Sequence, residues 1–187
     1  MRRRALIGTA VVLAVVLAFG LYWFAPWRLL TNTTIDDALT SVPATSEAPS
    51  RPTSGAASGA ASGATGTAAA EAVLVAEGAF VTHEHRTSGT ARIIRLPDGT
   101  HRLEIAGLDT SDGPDLRVWL TDQPVTEGRD GWTVFDDGQW LELGKLKGNR
   151  GDQTYAIPAS ADVQRYKSVS IWCKRFAVSF GAAPLAT

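Results

Sequence analysis

Hydrophobic and polar positions divide the chain into three zones. An uncharged apolar run occupies residues 5–25, directly after three arginines. As a helix this run would be roughly 31 Å long, which matches the hydrocarbon core of a bilayer. Small and polar residues follow it, and short runs of alternating apolar and polar residues make up the remainder. The pattern predicts an anchor in residues 1–30, a linker in residues 31–72 and a domain in residues 73–187.

The apolar run has the features of an uncleaved, single-pass membrane anchor. Arginines before it favour a cytoplasmic N-terminus, and a cluster of aromatic residues at its far end is typical of a membrane interface. That cluster consists of Tyr22, Trp23, Phe24 and Trp27. The alternative is a cleaved signal peptide, with Val16-Leu17-Ala18 as its cleavage site, but cleavage there would leave an apolar terminus. We therefore expect a protein of the cell membrane with an extracytoplasmic domain.

The second zone has the composition of a disordered linker. In residues 43–70 nearly every side chain is Ser, Thr, Ala, Gly or Pro, so the segment has almost nothing to bury. Residues 31–39 are also polar and contain side chains that could cap a short helix. We expect the whole of residues 31–72 to hold the domain clear of the membrane.

The third zone predicts an all-β domain with an antiparallel, β-sandwich-like fold. Turn signals recur about every ten residues, and Pro97-Asp98-Gly99-Thr100 is one that suits a hairpin. Four of the six tryptophans lie here and supply apolar area for a core without disulfides. The predicted strands are residues 73–81, 89–96, 101–108, 116–121, 139–146, 153–157, 169–173 and 176–180.

The strand predicted at residues 169–173 ends in the only cysteine of the chain, Cys173. Alternation places Cys173 on the apolar face of this strand. After it the phase changes, because Phe176, Val178 and Phe180 are apolar at even-numbered positions. A bulge or a tight corner directly after the cysteine accounts for that change.

The corner consists of Lys174 and Arg175, and two cations beside a thiol favour its thiolate form. We therefore expect Cys173 to be partly buried and to be a candidate redox thiol, with Lys174 and Arg175 as the thiolate-stabilising residues. The alternative is an inert cysteine that packs as a small apolar side chain.

Motifs along the domain are similar to those of a known family. They are Ala76-Glu77-Gly78-Ala79-Phe80, His85, Ser88-Gly89-Thr90-Ala91, Gly113-Pro114-Asp115-Leu116, Leu143-Gly144-Lys145-Leu146-Lys147-Gly148-Asn149, Gly151-Asp152-Gln153, Tyr155 and Val169-Ser170-Ile171-Trp172-Cys173-Lys174-Arg175-Phe176. Together they resemble the DM-thirteen domain, often called an electron-transfer domain, over residues 73–185. The resemblance implies an extracytoplasmic β-rich module whose signature cysteine, Cys173 here, is redox-active. We expect a redox protein as its partner. This chain has no stretch like the haem-binding DOMON domains found with some relatives, and we expect no cofactor.

Other motifs carry less weight. His83-Glu84-His85 would put two imidazoles on one face of a strand, and with Cys173 they would complete the His₂Cys ligand set of a blue-copper site. The only methionine is Met1, so the usual axial ligand is missing, and we interpret His83 and His85 as exposed or hydrogen-bonded residues without a metal. Arg150-Gly151-Asp152 matches an adhesion tripeptide by chance.

Composition excludes further functions. The formal net charge of −1 lacks the basic footprint that nucleic acids require. Hydrolase and nucleotide-binding motifs are absent, so the sequence assigns no enzyme class. Two hypotheses remain: a membrane-tethered redox module that acts through Cys173, and an extracytoplasmic binding or scaffold domain with a structural cysteine. The sequence specifies neither the electron partner nor the oligomeric state.

Overall fold

The computed structural model describes residues 2–42 and 71–186. Helix α1 comprises Arg2–Phe24, and a turn of 3-10 helix follows at Pro26–Leu30. Ten strands are found in the described residues. They are β1 (Thr34–Asp36), β2 (Val73–Ala79), β3 (Val81–Thr82), β4 (Ser88–Arg95), β5 (His101–Asp109), β6 (Leu116–Thr121), β7 (Trp140–Lys145), β8 (Arg150–Ile157), β9 (Ser168–Cys173) and β10 (Val178–Pro184).

The strands form two five-stranded sheets. The first sheet has the order β1-β8-β5-β4-β2 and the second has the order β3-β10-β9-β6-β7. All neighbouring strands are antiparallel except β1 and β8, which are parallel. The predicted all-β fold is confirmed, and each of the eight predicted strands is present, the strand at residues 116–121 with its predicted ends and the others with one or both ends shifted.

Apolar residues from both sheets meet in one core. Alternation along each strand turns every second side chain inward, so the two inner faces interdigitate. The first sheet contributes Ala91, Ile93, Leu103, Ile105, Tyr155 and Ile157, and the second contributes Val118, Leu120, Val169, Ile171, Cys173, Val178 and Phe180.

The structure differs from the predicted domain boundary at residue 31. Residues 31–42 do not form a linker or a helix, because β1 lies within them and pairs with β8. The main chain continues along the first sheet, where Asp37 accepts a hydrogen bond from Thr154 N at 2.9 Å and Thr40 N donates to Glu104 at 3.0 Å. The polar composition of this segment predicts a linker, but its polar groups have partners on the sheet.

This pairing changes the place of the predicted linker in the chain. The disorder predicted for residues 43–70 lies outside the described residues. Those residues join β1 and β2, which are the two opposite edge strands of the first sheet. They therefore connect two parts of the same domain, whereas the sequence predicts that they separate the domain from the apolar helix.

Helix α1 is long and apolar enough to cross a membrane, judged by its length and composition. A signal sequence near an N-terminus has the same properties. The helix therefore agrees with a membrane anchor, while its retention and its orientation remain predictions.

Candidate redox site

Cys173 ends the central strand of the second sheet. It pairs with Val178 on β10 and with Leu116 on β6, so the backbone on both sides of it is bound. Residues 174–177 form a hairpin turn that is closed by Ala177 in the left-handed conformation, at φ 51°. The predicted corner after Cys173 is therefore a complete reversal of the chain, which also explains the change of phase.

The hairpin corrects one prediction about its apolar residues. Val178 and Phe180 are buried in the core as predicted. Phe176 lies in the turn, outside any strand, and is 41% exposed. Its ring stacks on Phe24 at the end of α1, with the centroids 5.8 Å apart, so its contact is with the helix and not with the core.

The Cys173 side chain is fully buried in the main core, so the expected partial burial is wrong. Burial raises the pKa of the thiol because a thiolate loses hydration there, and the charge of Glu84 raises it further. The backbone N–H groups of Phe176, Arg175 and Asp115 act in the opposite direction without overcoming burial. The site therefore holds a protonated thiol near neutral pH.

Lys174 and Arg175 direct their charges to partners other than the sulfur. Lys174 Nζ lies 3.6 Å from Glu142 Oε2, across the sheet surface. Arg175 Nη1 donates to Trp23 O at 2.7 Å and to Tyr22 O at 3.3 Å. Neither side-chain charge is among the causes that shift the pKa of Cys173, to which Arg175 contributes only through its backbone N–H. Their role in stabilising a thiolate stays a prediction that these contacts do not support.

An apolar cavity of about 220 Å³ lies between the domain and the end of the helix. The hairpin supplies Phe176 and Phe180 to its wall, and the helix end supplies Phe24. The ring of His85 also lines the cavity and contacts Phe180, with the ring centroids 3.9 Å apart. Cys173 lies in the same hairpin but does not line the cavity.

The two histidines of the 83–85 motif do not share a strand face. The strand β3 ends at Thr82, and residues 83–85 form a bend. His83 stacks on Phe135 at 5.6 Å, whereas His85 packs against Phe180 of the main core. The predicted geometry of a shared face with Cys173 is therefore wrong.

Hydrogen bonds occupy both ring nitrogens of His83. Nε2 lies 3.1 Å from Thr126 O, and Nδ1 lies 2.9 Å from Ser179 Oγ. In the neutral ring Nε2–H donates to the carbonyl and Nδ1 accepts from the hydroxyl. Burial lowers the pKa of His83 and of His85. No group of three or more His, Cys, Asp or Glu residues that could hold a metal ion occurs within residues 2–42 and 71–186.

A stack of three tryptophans on the outer face of the second sheet was not predicted. Trp119 lies between Trp140, at a centroid distance of 4.1 Å, and Trp172, at 5.0 Å. Phe135 meets the edge of Trp172 at 6.4 Å. From the sequence these rings are expected only to add apolar area to the core. Their positions on β7, β6 and β9 were a usable signal, but strand order was needed to interpret it.

Comparison with known proteins decides the family. The model of the family described as Electron transfer DM13 matches residues 79–185, which is more than half of the 187 residues. The chain belongs to the DM13 electron-transfer family. No curated protein and no solved structure matches it.

The resemblance found in the sequence is thereby confirmed. The match to DM13 includes β3 to β10 and therefore both the cysteine hairpin and the tryptophan stack. Family membership supports a role in electron transfer for this domain. The matched residues do not include α1 or β1, so the family carries no information about the membrane helix.

Proposed function

We propose that this DM13 protein is a membrane-anchored electron-transfer module whose domain lies on the extracytoplasmic side, with Cys173 as its redox group. Family membership supports electron transfer in general. The arginines before α1 and the aromatic residues at its far end support the orientation. The cysteine is the only one in the chain, so any thiol chemistry involves it.

The observation that carries the proposal is the contact between the cysteine hairpin and the end of the apolar helix. Arg175 binds two carbonyl groups there and lies over the ring of Trp23, at 5.3 Å from its centroid. Phe176 stacks on Phe24 in the same contact. The turn directly after Cys173 thus meets the membrane-proximal end of the helix, which favours electron exchange at the membrane surface.

Thiol–disulfide exchange is the chemistry that a single cysteine can perform. Because only a thiolate is nucleophilic, the buried thiol must first lose its proton when the hairpin turn opens. Its sulfur then attacks a disulfide in a protein partner and forms a mixed disulfide. The displaced sulfur leaves as a thiolate and takes up a proton. The partner disulfide is the oxidant, and the mixed disulfide is the oxidised form of Cys173. A thiolate of a dithiol donor protein attacks the partner's sulfur in the mixed disulfide and releases the Cys173 thiolate. The donor's second thiol then displaces the partner's second thiol, so two electrons pass from the donor dithiol to the partner disulfide.

Alkylation of the full chain in detergent micelles tests the role of Cys173. We expect a small alkylating reagent to modify the thiol faster than the protein unfolds globally, at a rate that increases with pH. Arg175→Gln weakens the hold of the helix on the turn and should increase the rate, whereas Arg95→Gln, on the first sheet, should not. A thiol that reacts only at the global unfolding rate, at every pH, overturns the proposal.

A second function is favoured by a specific observation. Full burial and the raised pKa of Cys173 are also what a structural cysteine in a binding or scaffold domain would show. Alkylation limited to the unfolded protein, with an unchanged fold in Cys173→Ala, would assign the protein to this second class.

A further inference from the structure

The tryptophan stack runs from the surface of the domain to its interior. Trp140 lies on the edge strand β7 and is 43% exposed, whereas Trp119 and Trp172 are 3% and 1% exposed. The stack is built by strand register, because Thr121 pairs with Trp140 and Arg117 pairs with Trp172. Each neighbouring pair of rings is therefore a diagonal cross-strand pair, a separation that large aromatic side chains can bridge.

We propose that Trp140, Trp119 and Trp172 form an electron relay between a one-electron oxidant bound at the surface of β7 and the centre of the second sheet. This inference rests on the proposed function of electron transfer but does not depend on Cys173. The oxidant is a metal centre of a partner protein. It removes one electron from Trp140, which then takes one from Trp119, and Trp119 in turn takes one from Trp172.

Ring geometry supports the relay. The planes of Trp119 and Trp140 are within 5° of parallel, and those of Trp119 and Trp172 within 23°. Indole is among the side chains that lose an electron most readily. Electron transfer becomes exponentially slower as the separation grows, so rings in van der Waals contact exchange electrons far faster than the same rings across the sandwich.

A proton acceptor lies beside the middle ring. Trp119 Nε1 donates to Glu142 Oε2 at 3.4 Å. Loss of an electron makes the indole N–H strongly acidic, so its proton can move to Glu142 as the electron leaves. When an electron arrives from Trp172, the proton returns to Nε1. Trp119 is thereby restored, and Trp172 is left one electron short.

Two cations hold the Glu142 carboxylate in position. Arg117 Nη1 donates to its Oε1 at 2.7 Å, and Lys174 Nζ lies 3.6 Å from its Oε2. Lys174 follows Cys173 directly in the chain, and Trp172 precedes it. The inner end of the stack is therefore one residue from the thiol, although the two side chains point to opposite faces of β9.

Photochemical oxidation of the full chain in detergent micelles tests the relay. Gln139 is exposed next to Trp140, and its hydrogen bonds to Asp122 use its backbone N–H and its backbone carbonyl. Gln139→Cys in a Cys173→Ser background gives one attachment site for a ruthenium polypyridyl label. A flash with an oxidative quencher converts the label to a one-electron oxidant, and transient absorption follows the tryptophan radical. The same label at Arg95→Cys on the first sheet is the matched control.

We expect a radical with a slow recombination phase, because the electron deficiency moves away from the label. Trp119→Phe should abolish the slow phase and leave the radical on Trp140. Trp140→Phe, at an exposed site, should reduce the radical yield. It replaces Trp119→Phe as the test if that buried variant does not fold. A slow phase that is unchanged in both variants, or is equally strong from Arg95→Cys, overturns the relay.

The proton transfer has its own readout. Trp172→Phe stops the electron deficiency at Trp119, where the neutral radical and the cation radical have different absorption spectra. We expect the neutral form in Trp172→Phe and the cation form when Glu142→Gln is added. Identical spectra overturn the role of Glu142.

These results are separable from the outcome for the thiol. A slow phase in the Cys173→Ser background, together with a thiol that never reacts in the folded protein, would retain the relay and overturn only the role of Cys173. A reactive thiol without a slow phase would do the reverse.

Discussion

The two sheets bury their outer faces by different means. On the first sheet, the carboxylate of Glu104 is fully buried and accepts hydrogen bonds from Arg92, at 2.8 Å, and from Thr40 Oγ1, at 2.6 Å. On the second sheet, the outer face carries Trp119 and Trp172 instead. One face is held by charges, and the other by stacked rings.

The covers of the two faces also come from different parts of the chain. Thr40 belongs to the segment that follows the apolar helix, outside the residues that match the family. Phe135, which covers the aromatic face, lies between β6 and β7 inside the match. We conclude that the ionic face connects the domain to its helix, whereas the aromatic face belongs to the electron-transfer domain itself.

Removal of the most deeply buried ring, Trp172, from the aromatic face should have the largest effect. Trp172→Ala leaves a cavity beneath Phe135 and should lower the free energy of unfolding by about 3–5 kcal/mol. Denaturant unfolding followed by far-UV circular dichroism measures the loss. Trp140→Ala is the matched control, because its ring is partly exposed and should cost clearly less. Equal losses for the two variants would show that the face is not packed around Trp172.

Neutralising the buried charge of the ionic face should have the next largest effect. Glu104→Gln keeps the volume but leaves Arg92 without a charged partner, so we expect a loss of about 2–3 kcal/mol in the same unfolding measurement. Glu77→Gln, an exposed site on the same sheet, should change stability little. If Glu104→Gln is as mild as its control, the Thr40 segment is not held by this carboxylate.

Between the two outer faces lies the core with Cys173, where a smaller effect is expected. Cys173→Ser places a hydroxyl among apolar side chains and should lower the free energy of unfolding by about 1–3 kcal/mol. Cys173→Ala, which adds no polar group, should cost less. The reverse order would mean that the sulfur has a polar environment, contrary to its burial in the main core.

Much of this architecture could be predicted from period-2 alternation and turn chemistry. Alternation identified β9 and the inward direction of Cys173, and the change of phase identified the turn after it. The prediction was wrong for residues 31–42, which contribute the edge strand β1 to the first sheet. A strand of three polar-flanked residues at a sheet edge has no apolar pattern of its own, because its partners are the backbone of β8 and side chains distant in sequence.

The surroundings of Cys173 could not be predicted from the sequence for a related reason. Sequence places Lys174 and Arg175 beside Cys173, but a hairpin turn sends the two cations to Glu142 and to the end of α1. The extent to which Cys173 is buried could not be predicted either, because alternation gives the direction of a side chain and not the thickness of protein above it. The tryptophan stack required the order of β7, β6 and β9, which no local pattern contains.

The smallest predicted effect concerns pH and the aromatic face. His83 stacks on Phe135, and burial holds its pKa below the ordinary value of about 6.5 that it has in the unfolded chain. In the interval between these two pKa values the unfolded chain binds more protons, so stability rises with pH there. The stabilisation by neutral His83 is therefore complete above about pH 6.5 and is lost as pH falls towards the folded pKa.

Protonation of His83 also removes the hydrogen-bond acceptor at Nδ1, where Ser179 Oγ lies 2.9 Å away. Burial also lowers the pKa of His85, so both histidines should contribute to the loss of stability in acid. We expect His83→Gln to make the free energy of unfolding less dependent on pH below about 6.5, and His83→Gln with His85→Gln to flatten it further. Unfolding curves at several pH values measure this slope. A slope that is unchanged in the double variant would place the acid sensitivity elsewhere, among the carboxylates, and would separate the aromatic face from any response to pH.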